Sequence, residues 1–148
     1  MKQEPSEQAL RKVLDDWPQE QAGLKTAFQR LKKYAEAKDG AEWSFVSRPG
    51  VSYSLRFDLK SRPDGRERPV FFLTDVVVAG ELFLSVCFYE DEISDPDELG
   101  NAIPQGLFQE TGYCFDVDDD NCGDEGLLAY LEERIDEAHA QAMAGQRG

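Results

Sequence analysis

The sequence predicts an α+β protein in which N-terminal helices precede an antiparallel meander sheet of four to five strands. A short helix, one further strand and a C-terminal helix are expected to follow. Apolar residues recur at helical spacing up to about residue 38, alternate at every second position between residues 43 and 89, and return to helical spacing from about residue 124. These periods distinguish helices from half-buried strands. Because helices and strands are grouped along the chain, we expect the helices to cover one face of the sheet.

Two helices are expected at the N-terminus. Ser6 is a candidate N-cap for a helix that begins near Glu7, because its hydroxyl can accept from first-turn amides. Trp17-Pro18 should end or kink that helix, since proline lacks an amide hydrogen and crowds the preceding turn. A second helix is predicted from about Gln19 to Lys38, and Gly40 is suited to end it. Its apolar stripe comprises Leu24, Ala27, Phe28, Leu31, Tyr34 and Ala35.

The meander is expected from about Trp43 to Tyr89. Alternation is clearest in one segment, which has an apolar face of Val51, Tyr53, Leu55, Phe57 and Leu59 and a polar face of Ser52, Ser54, Arg56, Asp58 and Lys60. One buried and one wet face is typical of antiparallel sheets. VFFLTDVVV and LFLSVCFY are apolar on both faces and predict central strands joined at AGE, whereas SRPDGRERP predicts a polar loop.

Three further elements are predicted after the meander. Ser94 and Asp97 have the spacing of a capping box and predict a short helix, which Gly100 and Pro104 must end. YCFDV predicts a strand, with GLFQE as its candidate partner. The last helix is expected from about Asp124 to Ala142, and its predicted buried face comprises Leu128, Leu131, Ile135, Ala138 and Ala142.

Length and composition predict a single cytoplasmic domain, residues 1–148. A chain of 148 residues suits one domain with a hydrophobic core. The apolar runs are too short to span a bilayer, and the N-terminal segment lacks the apolar region of a signal peptide. The cysteines show no CxxC spacing, so we expect Cys87 and Cys114 to be buried thiols, Cys122 to lie in an exposed loop, and no disulfide to form.

Charge is distributed unevenly along the chain, whose net charge is −14. Residues 1–68 carry 14 basic and 11 acidic side chains, whereas residues 69–148 carry 2 and 19. Such an acidic surface repels phosphate backbones and anionic lipids, so we expect no binding to nucleic acid or membranes. We expect a protein partner with a basic surface, or a homodimer in which the acidic half meets a basic flank of Arg48, Arg56, Lys60, Arg62, Arg66 and Arg68. Alternatively, the C-terminal helix folds back and neutralises the same charges.

The densest acidic stretch, YCFDVDDDNCGDEG at residues 113–126, raises the question of a metal site. Calcium loops of the EF-hand type need Gly at position 6 and Glu at position 12, and frames that start at Asp116 or Asp118 both lack the glutamate. Zinc sites need about four Cys or His ligands, and His139 is the only histidine. We therefore interpret the stretch as a turn before the last helix and expect no metal or other cofactor.

The best candidate for ligand binding is the polar face of the clearest strand. Arg48, Ser52, Ser54 and Arg56 can line one sheet surface, and two arginines with two hydroxyls suit a carboxylate or phosphate group. An ordinary solvated face is the competing interpretation. Asp75 interrupts an apolar strand and is, with Glu110 and Asp116, a candidate acid–base carboxylate, although an ion pair with Arg56 or Arg48, or a position at a strand end, is the favoured explanation.

Three classes of function remain open from these observations. A non-enzymatic protein-interaction module leads, because the charge asymmetry is large and no catalytic residue can be assigned. A protein that binds a small anionic ligand and a carboxylate-dependent enzyme, with or without a divalent metal, are the alternatives. The size, acidity and order of elements also resemble those of type III secretion chaperones. That resemblance in architecture implies a dimer that binds segments of effector proteins.

Overall fold

The computed structural model describes residues 3–145 and begins with two helices, α1 (Gln3–Asp15) and α2 (Ala22–Glu36). Trp17-Pro18 separates them as predicted, and a 3-10 turn at Gln19–Gln21 leads into α2. The buried residues of α2 are Leu24, Ala27, Phe28, Leu31 and Ala35, which confirms the predicted stripe apart from the half-buried Tyr34.

Ser6 is not an N-cap, and that prediction is wrong. It lies inside α1 and is buried, and its Oγ accepts a hydrogen bond of 3.1 Å from the backbone amide of Phe45. Phe45 belongs to the first strand, which forms one edge of the sheet. The serine therefore satisfies an edge amide and attaches α1 to the sheet.

The described residues form one antiparallel sheet of six strands in the order β1-β2-β3-β4-β6-β5. The strands are β1 (Ala41–Arg48), β2 (Ser52–Leu59), β3 (Phe72–Ala79), β4 (Glu81–Tyr89), β5 (Asn101–Leu107) and β6 (Glu110–Val117), and helix α3 (Glu125–Ala144) follows them. The α+β class is confirmed. The sheet exceeds the predicted four to five strands because the β5–β6 hairpin adds to the four-stranded meander.

The segment between β4 and β5 corrects the predicted short helix at Ser94. A 3-10 turn occupies Glu90–Glu92, and non-helical turns follow up to Gly100. The Asp95 carboxylate holds these turns by accepting from the backbone amides of Leu99 and Gly100, each at 3.0 Å. It also accepts from the hydroxyls of Tyr113 and Tyr130, so it joins the segment to β6 and α3. Because Asp95 accepts these four hydrogen bonds, the segment is held in turns and not in the predicted helix.

The three helices described above cover one face of the sheet, as predicted. In β2 the helix-facing side chains are Tyr53, Leu55, Phe57 and Leu59, which confirms the alternation except at Val51. Val51 precedes the strand and is 59% exposed. From α3, the core receives the predicted residues Leu128, Leu131, Ile135, Ala138 and Ala142.

The opposite face of the sheet has a second, smaller apolar cluster. It contains Val70, Leu73, Cys87, Tyr89 and Leu107. Leu107 ends β5, and the next two residues, Phe108 and Gln109, have positive φ angles of 49° and 69°. The tip of the β5–β6 hairpin therefore covers part of the face that no described helix covers. A bulge between Ile103 and Leu107 precedes this tip.

Two arginines of the predicted polar loop are buried in an ion network rather than exposed. The side chains of Arg66 and Glu92 are both 0% exposed, and their charged atoms lie 2.7 Å apart. Arg68 contacts Glu92 at 3.0 Å, Asp91 at 2.8 Å and Glu110 at 2.7 Å. Removing one partner from such a network leaves a buried unpaired charge. The network therefore fixes the loop between β2 and β3 against the 3-10 turn after β4.

Cys87 and Cys114 form a disulfide, which corrects the prediction of buried free thiols. They are directly opposite each other on β4 and β6, with their Cα atoms 4.2 Å apart. Sequence spacing did not reveal the pair because strand register, not local sequence, brings the residues together. Cys122 is a free, half-buried thiol in the turn before α3.

Reduction should therefore destabilise the protein. The disulfide closes a loop with a sequence separation of 27, so breaking it should lower the free energy of unfolding by about 3 kcal/mol. Urea unfolding with and without a thiol reductant measures this difference, and Cys114→Ser should reproduce it. Cys122→Ser is the matched control that keeps the disulfide. Coincident curves for oxidised and reduced protein would contradict the prediction.

Asp95 should make stability depend on pH in the acid range. Burial alone would raise the pKa of its carboxyl, but hydrogen bonds from Tyr113, Tyr130 and two backbone amides outweigh burial and lower the pKa to about 2. Because the folded-state pKa lies below the unfolded value, the stabilisation is complete above about pH 4 and is lost as the pH falls toward 2. Asp95→Asn should cost about 1–2 kcal/mol at pH 7 and flatten this dependence. Chemical unfolding between pH 7 and pH 2 tests both effects, and an unchanged slope for Asp95→Asn would contradict them.

Candidate functional site

The acidic stretch forms a turn, as predicted. β6 ends at Val117, and Asp118 Oδ1 accepts from the backbone amides of Asp120 and Asn121 at 2.9 and 3.1 Å. Asp124 is the N-cap of α3 and accepts from the amide of Leu127. Within residues 3–145, no group of three or more His, Cys, Asp or Glu side chains is arranged to hold a metal ion. These aspartates therefore act locally as turn and cap residues.

His139 and Cys122, the other potentially reactive side chains, make structural contacts. His139 lies five residues before the end of α3, where its Nε2 is 2.7 Å from the carbonyl oxygen of Asp39 and its ring contacts Phe71 edge-on. Burial, together with the charge of Asp119, raises the pKa of the Cys122 thiol. A raised pKa disfavours the nucleophilic thiolate at neutral pH.

The four predicted ligand residues share one face of the sheet, and it is the face opposite the helices. Arg48 is paired with Ser52 across β1 and β2, and Ser54 and Arg56 follow on the same side of β2. The Nε of Arg56 donates to Ser54 Oγ at 3.1 Å, and its guanidinium lies 5.4 Å from the centre of the Phe108 ring at the hairpin tip. Their common placement follows from the strand alternation, whereas their binding role remains a prediction.

Asp75 does not form the ion pair that was the favoured explanation for it. It lies on the same face, opposite Ser54 on β2 and Ser85 on β4. Its Oδ1 atom is buried, and nothing among the described residues donates to it. A buried carboxylate oxygen without a donor costs stability, so Asp75 needs an explanation other than structural pairing. The other candidate carboxylates are separated from it: Glu110 joins the buried ion network and Asp116 is exposed.

The acidic half of the chain is neutralised partly by internal ion pairs. The carboxylates of α3 contact α2, where Arg30 bonds Glu125 at 2.7 Å and Glu132 at 2.9 Å. In the basic flank, Arg62 pairs with Asp58, while Arg66 and Arg68 enter the buried network. Three of the six residues of the flank are therefore paired within the described part of the chain, but their carboxylates come from β2, the 3-10 turn and β6 and not from α3.

Sequence reasoning missed an open apolar cleft between α1 and one end of the sheet. Its volume is about 370 Å³, and it is lined mainly by apolar side chains. The lining residues are Ala9, Lys12, Val13, Asp16, Trp17, Pro18, Ser47, Pro49, Gly50, Tyr53, Val78 and Leu82. These come from three separate stretches, residues 9–18, 47–53 and 78–82, and the only sequence signals are the two proline turns, Trp17-Pro18 and Pro49-Gly50. Small-ligand and side-chain sites are commonly apolar concavities of roughly 300–1,000 Å³.

The polar groups of the two aromatic residues in the cleft are already bonded. Trp17 Nε1 donates to the carbonyl of Gln21 at 3.0 Å, and the Tyr53 hydroxyl accepts from the amide of Gly50 at 3.3 Å. Lys12 and Asp16 pair with each other at the rim, where their side chains are largely exposed. The cleft therefore offers an apolar surface with few free hydrogen-bonding groups.

The acidic turn lies beside this cleft. Buried Gln21 connects them, because its Nε2 donates to the carbonyl of Leu82 at 2.8 Å and to both carboxylate oxygens of Asp119 at 3.3 Å. Gln21 Oε1 also accepts from the amide of Leu82 at 3.0 Å. Negative charge is thus held next to an apolar wall of the cleft.

No protein-family model, curated protein or solved structure matches the chain. The resemblance to type III secretion chaperones is therefore unsupported by these comparisons, and function must be argued from the residues of this chain alone.

Replacing Asp75 by an apolar residue should stabilise the protein. Asp75→Val removes the unsatisfied buried acceptor and should raise the free energy of unfolding by about 1 kcal/mol. Ser52→Val is the control, because it gives a similar gain in strand propensity on the same face without removing a carboxylate. Urea unfolding of the three proteins measures the effect. A loss of stability in Asp75→Val would show that the carboxylate has a structural partner.

Proposed function

We propose that the protein is a non-enzymatic interaction module that binds a segment of a partner protein in the cleft between α1 and the sheet. The cleft itself carries the proposal: it is open, about 370 Å³ in volume and lined mainly by apolar groups. When a partner side chain fills a concave apolar site, the apolar surface is removed from water and the free energy of the complex is lowered. Apart from Ser47 and the paired Lys12 and Asp16 at the rim, the lining residues provide apolar surface and no acid–base or nucleophilic group, which favours binding over catalysis.

The charge beside the cleft indicates the chemistry of the partner. Asp118, Asp119 and Asp120 follow one another in the turn that Gln21 connects to Leu82, a lining residue. Glu81 precedes Leu82 and is exposed. A segment with an apolar anchor next to Lys or Arg would place the anchor in the cleft and its charges near these carboxylates. Complementary charges increase the association rate and select among partners.

A foreign basic partner is favoured over a homodimer. The expected dimer depended on a basic flank that would be free to meet another subunit's acidic half. Arg62, Arg66 and Arg68 are instead paired within the same chain, and Arg66 is fully buried. Self-association through this flank would therefore draw on only part of its charge.

The charge of the chain and the length of its helices bear on whether it binds nucleic acid or crosses a membrane. Surplus negative charge still argues against nucleic-acid binding, since affinity for nucleic acid depends on neutralising phosphates. No helix of residues 3–145 is long and apolar enough to cross a membrane.

We retain the cytoplasmic location as part of the proposal. The Cys87–Cys114 disulfide argues against this part of the proposal, because disulfides persist mainly in oxidising environments.

Selection from a library of random short peptides tests the proposed binding. We expect enriched peptides to contain an apolar anchor beside Lys or Arg, and their binding to weaken as salt screens the charges. Ala9→Phe, which places a ring in the cleft, should weaken these peptides at least about tenfold, equivalent to about 1.4 kcal/mol. Fluorescence anisotropy of the selected peptides gives the affinities.

Two matched variants separate the cleft from general surface effects. Gln8→Phe adds the same ring on α1 at an exposed position that does not line the cleft, and it should bind as the unaltered protein does. Asp120→Lys should reduce the binding of basic peptides, whereas Asp64→Lys, in the loop beside the C-terminal end of α3, should not. Equal affinity of Ala9→Phe and the unaltered protein would rule out the cleft as the docking site.

A further inference from the structure

On the sheet face opposite the helices, the described residues leave a carboxylate oxygen without a donor. Asp75 Oδ1 is shielded from solvent and receives no hydrogen bond, although Ser54 and Ser85 lie directly opposite it on both neighbouring strands. Buried polar atoms in folded proteins nearly always have a partner, so such an atom indicates a missing group. A missing donor at this position would have to approach from the open side of the sheet.

The same face leaves a donor group without an acceptor. Arg56 uses its Nε to bond Ser54, and neither of its terminal nitrogens bonds or pairs with any residue among those described. The Phe108 ring and Ser54 hold the guanidinium in place without neutralising it. A guanidinium fixed in this way presents a planar pair of donors that matches a carboxylate.

Strand register places this donor and acceptor close together. Ser54 is opposite Asp75, and Arg56 is opposite Leu73, two residues away on the same face. Diagonal neighbours of this kind have their Cα atoms roughly 7–8 Å apart. The long arginine side chain and the short carboxylate can therefore both reach one small molecule that lies over the Ser54 hydroxyl.

We propose that this face binds a small zwitterion, of which a free α-amino acid is the simplest form. Its carboxylate pairs with the terminal nitrogens of Arg56, and its ammonium group donates to the carboxylate of the half-buried Asp75. Half-buried Val77 and Phe83 pair on this face next to Asp75 and supply an apolar surface for the side chain. This site lies on the sheet face opposite the helices, whereas α1 lines the cleft, so it does not depend on the proposed interaction function.

A zwitterion fits these observations better than the simple anion expected from sequence. An anion would satisfy Arg56 but would leave Asp75 unbonded and would be repelled by its charge. A cation alone would leave Arg56 unbonded. Only a ligand that carries a donor and a carboxylate satisfies both groups at once.

Titration followed by backbone amide NMR tests this site directly. The twenty common L-amino acids, propionate and ethylamine are added separately to the unaltered protein. At least one amino acid should give saturable shifts at the amides of Ser54, Asp75 and Ser85, with a Kd of about 10 mM or tighter. Propionate and ethylamine, each with one of the two charged groups, should bind at least about tenfold more weakly.

Variants of Asp75 and Arg56 test whether these two side chains cause the NMR shifts. Asp75→Asn and Arg56→Gln should each weaken the best amino acid at least about tenfold, and the same spectra report whether each variant is folded. Lys60→Gln is the matched control, because Lys60 is an exposed cation that directly follows β2 and lies outside the proposed site. The proposal is overturned if no amino acid gives saturable shifts, if propionate binds as tightly as the best amino acid, or if Asp75→Asn keeps full affinity.

Discussion

Burial of one face of a six-stranded sheet under α1, α2 and α3 is the constraint on which the rest of this structure depends. The strand alternation assigns Leu55, Phe57 and their neighbours to the core, and the same alternation assigns every polar residue between them to the other side. With its described helices on one side, the protein covers part of the remaining face with a loop and a hairpin tip. The buried Arg66–Glu92 pair, the Cys87–Cys114 disulfide and the position of Arg56 under Phe108 all follow from this second, incomplete layer. The proposed ligand site and the cleft both lie where neither helices nor loops cover the sheet.

Features encoded by local periodicity were predictable, and features that depend on register or distant contacts were not. Helix stripes and the β2 alternation are repeated over several residues, so single exceptions such as Val51 do not hide them. β5 was predicted only in part: the expected partner GLFQE overlaps its last two residues, whereas residues 101–106 are exposed on both sides, include Pro104 and give no alternation to detect. The Ser94 pattern predicted a helix, but the hydrogen bonds that Asp95 accepts from Tyr113 and Tyr130 favoured turns. For the candidate sites, the common face of Ser54 and Arg56 was predictable, whereas the cleft forms only where three separate stretches of the chain meet.

Charge counts along a sequence give totals but do not say which charges remain available. The acidic half and the basic flank suggested a molecule with two oppositely charged ends. In the fold, Arg68 instead contacts three carboxylates, and Arg30 contacts two from α3. What remains is local: carboxylates concentrated at the turn before α3, and two sheet arginines, Arg48 and Arg56, that pair with no carboxylate among the described residues. Recognition by such a protein depends on where small groups of charge lie next to apolar surface, and less on its overall dipole.

The two edges of the sheet limit how the protein can meet other chains. At β1, α1 lies alongside the strand, and Ser6 already accepts from the Phe45 amide. At β5, Pro104 has no amide hydrogen to donate, and the bulge before Leu107 interrupts the straight run that a new strand would need. Neither edge therefore offers a template for continuous backbone pairing, which is the route to open-ended fibrils and exchanged strands. A protein with this sheet can expose Ile103 and Phe108 beside an edge strand with little risk of aggregating through main-chain hydrogen bonds.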